Sequence, residues 1–420
     1  MLDSIHQLPA GKKGAPGLAR VLGVVFLPFA CGYYLSYLYR STNAVIAPDL
    51  VADIGLTAAE LGLLTAAYPL AFGLFQVPLG LLLDRFGPRR VQAVLMLVAA
   101  LGALGFGLGR DLASLTLFRA LIGIGVSGGL MAAFKAVTMW FPPARWPLAN
   151  GCFLATGGLG ALSATVPLEF ALSFADWRTI YLALAGFNFV VAGLIFRLVP
   201  ERASGAEETG FAAAVSGLGR IFRDALFWRF APICIATFGA SFSFQGLWAG
   251  PWLADVIGLS RDAVALHLMV TTGLLALGSI LIGVVADRLV ARGITLAAIV
   301  AWGALLFVLT QVPLALDWRA AALVPVAGIG LLSNIGTLCY ARLSQHFGAA
   351  ASGRANTGLN VLVFTGAFAI QYLIGAILDL WGPDATGRYP AVAYQTAFAT
   401  LMVPQVLAWF WLLRRGRPAR

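Results

Sequence analysis

The sequence predicts an all-α membrane protein of twelve transmembrane helices, and three observations carry that expectation. Hydrophobic residues make up 60% of the chain and charged residues only 11%, whereas a soluble domain is about half apolar and a quarter charged. The apolar residues gather in runs long enough to cross the hydrocarbon layer, which takes about 20 residues per helix. The net charge of +10 is also one-sided. With the N-terminus placed in the cytoplasm, Lys12, Lys13, Arg20, Arg85, Arg89, Arg90, Arg145, Arg202, Arg220, Arg223, Arg288, Arg292, Arg354 and the arginines of 414–420 share the inner side. Only Arg110, Arg178, Arg261, Arg319 and Arg388 fall outside. This is the positive-inside asymmetry of a bacterial-type inner-membrane protein with both termini cytoplasmic, and it accounts for the charge without a nucleic-acid partner. The 48 glycines suit close helix packing in lipid. Cys31, Cys152, Cys234 and Cys339 sit singly within apolar runs, as small core residues rather than a disulfide framework or a metal site.

The runs lie at roughly 21–47, 60–83, 91–109, 113–136, 148–171, 178–199, 229–253, 263–286, 294–314, 320–343, 356–380 and 392–413. Residues 1–20 form a polar lead-in, and the first run is too long for a signal-peptide core, so it is read as retained. Along it Tyr33, Tyr37 and Arg40 are spaced i, i+4, i+7 and share one helical face, with Asn43 close by. An arginine flanked by tyrosine hydroxyls can hold a carboxylate or phosphate through two parallel bonds. The alternatives are that Arg40 snorkels to the outer headgroups or pairs with Asp49 or Asp53.

The connection between the second and third runs reads Gly80, Leu81, Leu82, Leu83, Asp84, Arg85, Phe86, Gly87, Pro88, Arg89, Arg90. Gly80 permits close approach of a neighbouring helix, Asp84 ends an apolar helix, and Gly87-Pro88 makes a tight turn. About two hundred residues later Gly283, Asp287, Arg288, Arg292 and Gly293 repeat the pattern, with Leu289-Val290 in place of Phe86-Gly87. The stretch from Arg145 through Asn150 to Gly151 is likewise answered by Arg354, Asn356 and Gly358, and Trp177 by Trp381. A common offset of this size argues for duplication, which puts a substrate path between the halves. The paired loops resemble the signature of the major facilitator superfamily. That resemblance implies two pseudo-symmetric six-helix bundles, at 21–199 and 229–413, working by alternating access. Residues 200–228 are the expected cytoplasmic linker and 414–420 a cytoplasmic tail. Gly80, Asp84, Arg85, Arg89, Asp287 and Arg288 are expected to form a latch that pairs across the seam and breaks as the halves rock.

A charge inside the bilayer costs roughly 2.5–3.5 kcal/mol on insertion scales, so intramembrane charges rank the remaining candidates. In the fourth run, Arg119 with Gly123 and Gly125 resembles a family motif linked to proton coupling or to holding helices together. Bonding to carbonyls of the first helix is the structural alternative. Lys135 ends that run as a second anion contact or as a lysine snorkelling to the inner interface. The fifth run is glycine-rich, from Gly151 to Gly160, like the family's antiporter motif, but it lacks that motif's Gly-Pro pair. Glu169 is the one acid well within an apolar run. It is a proton-coupling candidate through desolvation, or else an outer-mouth residue paired with Arg178. In the second half Gln245, Trp248, Asn334, Asn360 and Gln371 are candidate cavity contacts. His267 reads as an outer-surface residue.

No phosphate loop, metal-ligand cluster or nucleophile–base pair occurs in the sequence. The expectation is a secondary transporter, not an enzyme and without a cofactor, working as a monomer among membrane lipids. It would take up a small organic anion, a carboxylate, by proton symport. Efflux of drugs or amphipathic metabolites by proton antiport is the alternative.

Overall fold

The computed structural model describes residues 18–201 and 218–414. Every regular element among the described residues is helical. Helix α1 spans Ala19–Ile54, α2 Ala58–Leu108, α3 Leu112–Trp140, α4 Pro143–Ser163, α5 Val166–Leu172 and α6 Trp177–Leu198. In the second half α7 spans Ala225–Asp255, α8 Arg261–Ala291, α9 Leu296–Ala315, α10 Arg319–Gly348, α11 Ala351–Leu378 and α12 Ala391–Leu413. Ten of these are long and apolar enough to cross a membrane alone, and α4 with α5, bent by 41°, makes an eleventh crossing. Helix α2 contains 51 residues, about 76 Å at 1.5 Å per residue, more than twice a hydrocarbon layer. Gly87 interrupts it with φ 76° and ψ 162°. Divided there, α2 supplies both the second and third expected crossings.

The expected tight turn thus sits at Gly87, where only glycine adopts the positive φ without strain. In the second copy the left-handed residue is Gly293, φ 85°, because Leu289 and Val290 occupy the earlier positions. The second bundle begins at Ala225, a turn earlier than expected, with Asp224 accepting from the Phe227 amide. The lead-in up to residue 17, linker residues 202–217 and tail residues 415–420 lie outside the described residues.

Short polar links cap the helices. Thr57 and Glu60 form a reciprocal capping box at the start of α2, Asp111 caps α3, and Asp176 caps α6. Bonds from the Ser114 amide and hydroxyl hold the Asp111 carboxyl below its ordinary range.

Two faces of the molecule follow from the bonds between helix ends. At one, the far face, Arg178 of α6 binds Asp53 of α1 at 3.0 Å and the Gly107 carbonyl of α2 at 3.2 Å. At the other, the terminal face, where α1 starts and α12 ends, Arg229 of α7 donates to the Leu412 carbonyl and Trp411 to the Trp228 carbonyl.

Glycines bring the helices together. Gly123 lies against the Tyr68 carbonyl and Gly125 against the Ala99 backbone, seating α3 on α2. Between the halves, Gly73 meets Phe364, Gly62 meets the Gln371 carbonyl and Gly375 meets the Ala58 backbone, so α2 and α11 close together from mid-length to the far face. Gly80 and Gly283 are the counterexamples. A Cβ on either would have open space, so the close approach expected at Gly80 is absent in this conformation.

A Gly125→Ala substitution places a methyl into the Ala99 backbone. It is expected to lower stability by about 1–3 kcal/mol, read as an earlier thermal transition of the detergent-purified protein. An unchanged transition would show that α3 can withdraw from α2 freely.

Candidate functional site

A cavity of about 330 Å³ lies between the two halves, within the roughly 300–1,000 Å³ of ligand pockets. From the first half Tyr33, Tyr37 and Arg40 of α1 and Tyr68 and Gln76 of α2 line it. From the second half come Phe238, Phe242 and Gln245 of α7, Asn334 and Tyr340 of α10, and Asn360 and Phe364 of α11. The three α1 residues share this wall because their spacing puts them on one face.

Most polar groups of the wall are bonded to one another. Tyr68 donates to the Ser36 carbonyl at 3.0 Å, and Gln76 to the Ser127 carbonyl at 3.2 Å. Gln245 donates to Ser241 and Ser333, Asn334 to Ser279, and Tyr340 to Asn360. Arg40 differs. It carries the only formal charge among the described residues lining the cavity, and no described residue forms an ion pair with it. The pairing with Asp49 or Asp53 read as an alternative does not occur, because Asp49 binds Arg261 and Asp53 binds Arg178. Its guanidinium lies over the rings of Tyr37, Phe238 and Phe242 at 5.3, 5.4 and 4.4 Å.

Of the expected contacts, Tyr33, Tyr37, Arg40, Gln245, Asn334 and Asn360 meet at this cavity; Asn43, Lys135, Trp248 and Gln371 do not. Asn43 is buried inside the first half, bonding Thr65 at 2.9 Å, because its helical position points it at α2 rather than α7. Lys135 donates to Asp84 at 2.6 Å and to the Leu83 carbonyl at 2.9 Å, drawn to a carboxylate near the terminal face instead of an anion in the cavity. Trp248 and Gln371 are buried against one another, the indole donating to the Gln371 carbonyl at 3.1 Å, and together they receive Gly62 at the far-side closure. The residues that sequence reasoning missed are Phe238, Phe242 and Phe364. A signal was available: Phe238 and Phe242 lie four apart on α7, as Tyr33 and Tyr37 do on α1, so the two rings share one helical face.

Arg119 is fully buried. It donates to the Tyr39 carbonyl of α1 at 2.8 Å and to the Tyr181 hydroxyl at 2.9 Å, which makes it a tie among α1, α3 and α6. That is the structural alternative foreseen for it; it does not line the cavity itself but lies behind Tyr68 of the wall, 5.2 Å from that ring.

The far face holds the charged contacts between halves. Arg261 of α8 binds Asp49 of α1 at 2.8 and 2.9 Å and Glu169 of α5 at 2.8 Å. Glu169 is therefore paired, but with Arg261 rather than Arg178. Beside it Asp379, just past α11, accepts from the Ala58 and Ala59 amides at 3.0 and 2.8 Å and from Tyr389 at 2.6 Å. A carboxylate there sits on the positive end of α2. A larger void of about 620 Å³ opens next to these groups. On its wall Arg261 and Glu169 are paired with each other and Arg388 shares the wall with the carboxylate of Asp255, whereas the central cavity holds Arg40 with no acid among its described lining residues and is the better candidate site.

At the terminal face the expected latch is undone. Asp84 pairs with Lys135, and Arg89 and Arg90 pair with Glu201, all within the first half. Arg89 also donates to the Phe196 carbonyl at 3.0 Å, and Arg85 lies over Phe86. Asp287 and Arg288 take no ion-pair partner, and no ion pair crosses the seam at this face among the described residues. Ion pairs thus join the halves at the far face, and none joins them at the terminal face among the described residues.

The family model described as the Major Facilitator Superfamily matches residues 29–367. The chain belongs to the major facilitator superfamily. It is a multi-pass membrane transporter and not an enzyme. It is 27% identical over 304 residues to a probable sulfoacetate transporter of Cupriavidus necator, covering 69% of each chain. It is 29% identical over 183 residues to a hexuronate transporter of Bacillus subtilis, spanning 43% of each. Among solved structures, a bacterial homolog of the human lysosomal transporter Spinster, inward-facing and unoccupied, superposes with a TM-score of 0.73. It has 18% identity and covers 97% of this chain and 100% of its own, a likeness that speaks to fold alone.

Removing Arg261 tests the far-face joint of this facilitator. Arg261→Gln leaves Asp49 and Glu169 without their shared cation. The expected loss is about 1–2 kcal/mol, reduced from a buried pair because the guanidinium is 45% exposed. A cysteine placed at the far end of the cavity should then label faster from the far face; unchanged labelling would remove the pair from the closure.

Proposed function

We propose that this transporter takes up a small organic anion, a carboxylate, by alternating access driven by protons. The observation that carries the reading is Arg40, the lone charge on the cavity wall, with no carboxylate partner among the described residues. Its fork of N–H donors suits a carboxylate held by two parallel bonds, with Tyr33 and Tyr37 beside it. The names of the relatives, sulfoacetate and hexuronate transporters, point to the same substrate class.

Protons enter the reading through Glu169. It shares Arg261 with Asp49, and Arg261 belongs to the opposite half. When the far face opens, the two carboxylates lose that cation, and Glu169 is proposed as the group that then carries the proton. The terminal face is proposed to be cytoplasmic, in an inner membrane, with a monomer as the working unit. Asp84, Arg85, Arg89, Asp287 and Arg288 are proposed to pair across the seam only when that face closes.

Phe72, Phe238, Phe242 and Phe364 give the cavity an apolar wall that also suits export of an amphipathic drug, so the test is chosen to separate the two. Thermal stability of the purified protein is measured against glucuronate, sulfoacetate, neutral sugars, amino acids and cationic amphiphiles. A carboxylate at a hundredfold its Kd should stabilise by about 2.7 kcal/mol. Arg40→Ala should abolish that shift, and Arg40→Lys, which keeps the charge but not the fork, should weaken it about tenfold. A shift with cationic compounds alone would sink the anion reading.

In proteoliposomes, uptake should rise when the outside is made acidic. Glu169→Gln should remove that dependence while leaving binding intact; a mutant that still follows the pH gradient would take the proton role away from Glu169.

A further inference from the structure

We infer that Phe242, with Phe238, serves as the standing counter-partner of Arg40, which lets the empty carrier close and return. The inference rests on the reading of Arg40 as the anion-binding group. Arg40 belongs to the first half, and the two phenylalanines belong to α7 of the second. Its guanidinium lies 4.4 Å from the Phe242 ring centroid and 5.4 Å from that of Phe238, while Tyr37 of its own helix lies at 5.3 Å. Phe364 meets Phe238 edge-on at 5.3 Å and Phe242 edge-on at 6.3 Å, which fixes the orientation of both rings.

The rings address a difficulty that the lone charge creates. A carrier must pass through a state sealed from water on both sides. With an anion bound, Arg40 crosses that state as a neutral pair. Empty, it would cross as a desolvated cation with no counter-ion, since none of the described cavity residues is acidic. Aromatic faces carry negative charge density and attract a desolvated cation. Stacking engages the face of the guanidinium and leaves its edge N–H donors free for a carboxylate. Phe238 and Phe242 belong to the second half, so that half answers the cation of the first with rings, not with an acid. Net uptake requires the empty return and should depend on the rings. Exchange of one anion for another skips that step and should not.

The test uses the full chain in proteoliposomes with labelled glucuronate. Net uptake into empty vesicles is compared with exchange into vesicles preloaded with unlabelled glucuronate. Phe242→Leu should lower net uptake about thirtyfold more than it lowers exchange, the size of one desolvated cation–π contact. Phe242→Tyr, which keeps the π face, should restore net uptake. A ring-fluorinated phenylalanine at 242 keeps the shape, removes the negative face, and should behave like leucine. If net uptake and exchange fall together, or if the fluorinated ring transports normally, the rings only pack and the inference fails, while wild-type uptake still supports the anion site. If the wild-type protein moves no glucuronate in either mode but the Arg40-dependent thermal shift persists with sulfoacetate, the same comparison is run with sulfoacetate and judged by the same outcomes. Absence of any such shift overturns the anion reading and this inference with it.

Discussion

A charge in a bilayer has no water to turn to, and where each charge finds its partner organises this protein. The cost of an unmatched ion in a low-dielectric interior is several kcal/mol. Arg119 meets it with a backbone carbonyl and a tyrosine hydroxyl, which ties three helices of the first half together. Lys135 meets it with Asp84, and Arg178 with Asp53. Arg261 meets it across the seam with Asp49 and Glu169. Once these are accounted for, Arg40 stands apart: a cation facing an internal cavity with only aromatic rings around it. Groups matched within one half stabilise that half in every state. Groups matched across the seam hold one state, and an unmatched one is available to a ligand.

The same distinction explains why the molecule can be stable and yet move. The contacts of α3 with α2 at Gly123 and Gly125 lie within the first half and need not change. The contacts of α2 with α11 at Gly62, Gly73 and Gly375 join the halves. Gly62 and Gly375 meet backbone there, while Gly73 and Phe72 receive the Phe364 side chain. The carboxylate of Asp379 on the first amides of α2 adds an interaction that is strong in place and quickly lost with distance. Opening the far face therefore requires breaking these polar ties and parting the apolar contacts around Trp248 and Phe364.

Much of this was legible in the sequence. The many apolar crossings, the duplicated loop and the turn at Gly87 follow from hydrophobic run length and from residues with special backbone preferences, which are local properties. The spacing of Tyr33, Tyr37 and Arg40 put them on one face before any packing was known. The roles of the other polar candidates were not legible. Asn43, Gln371 and Asn360 look alike as polar residues in apolar helices. Which of them meets the cavity depends on the rotation of its helix against neighbours far away in sequence. The partner of Glu169 was misread for the same reason: Arg178 is near in sequence, whereas Arg261 is near in space.

The sequence by itself determined that this chain crosses a membrane many times as two related halves, and that a cation on the first helix shares a face with two tyrosines. Those facts rest on composition, period and repeat. Tertiary structure alone decided that Arg40 faces a cavity, that its neighbours there are Phe238 and Phe242, and that among the described residues the charged ties between halves are made at the far face. Those facts depend on how two bundles meet. The meeting is set by long-range contacts between helices, and no local pattern of residues encodes it.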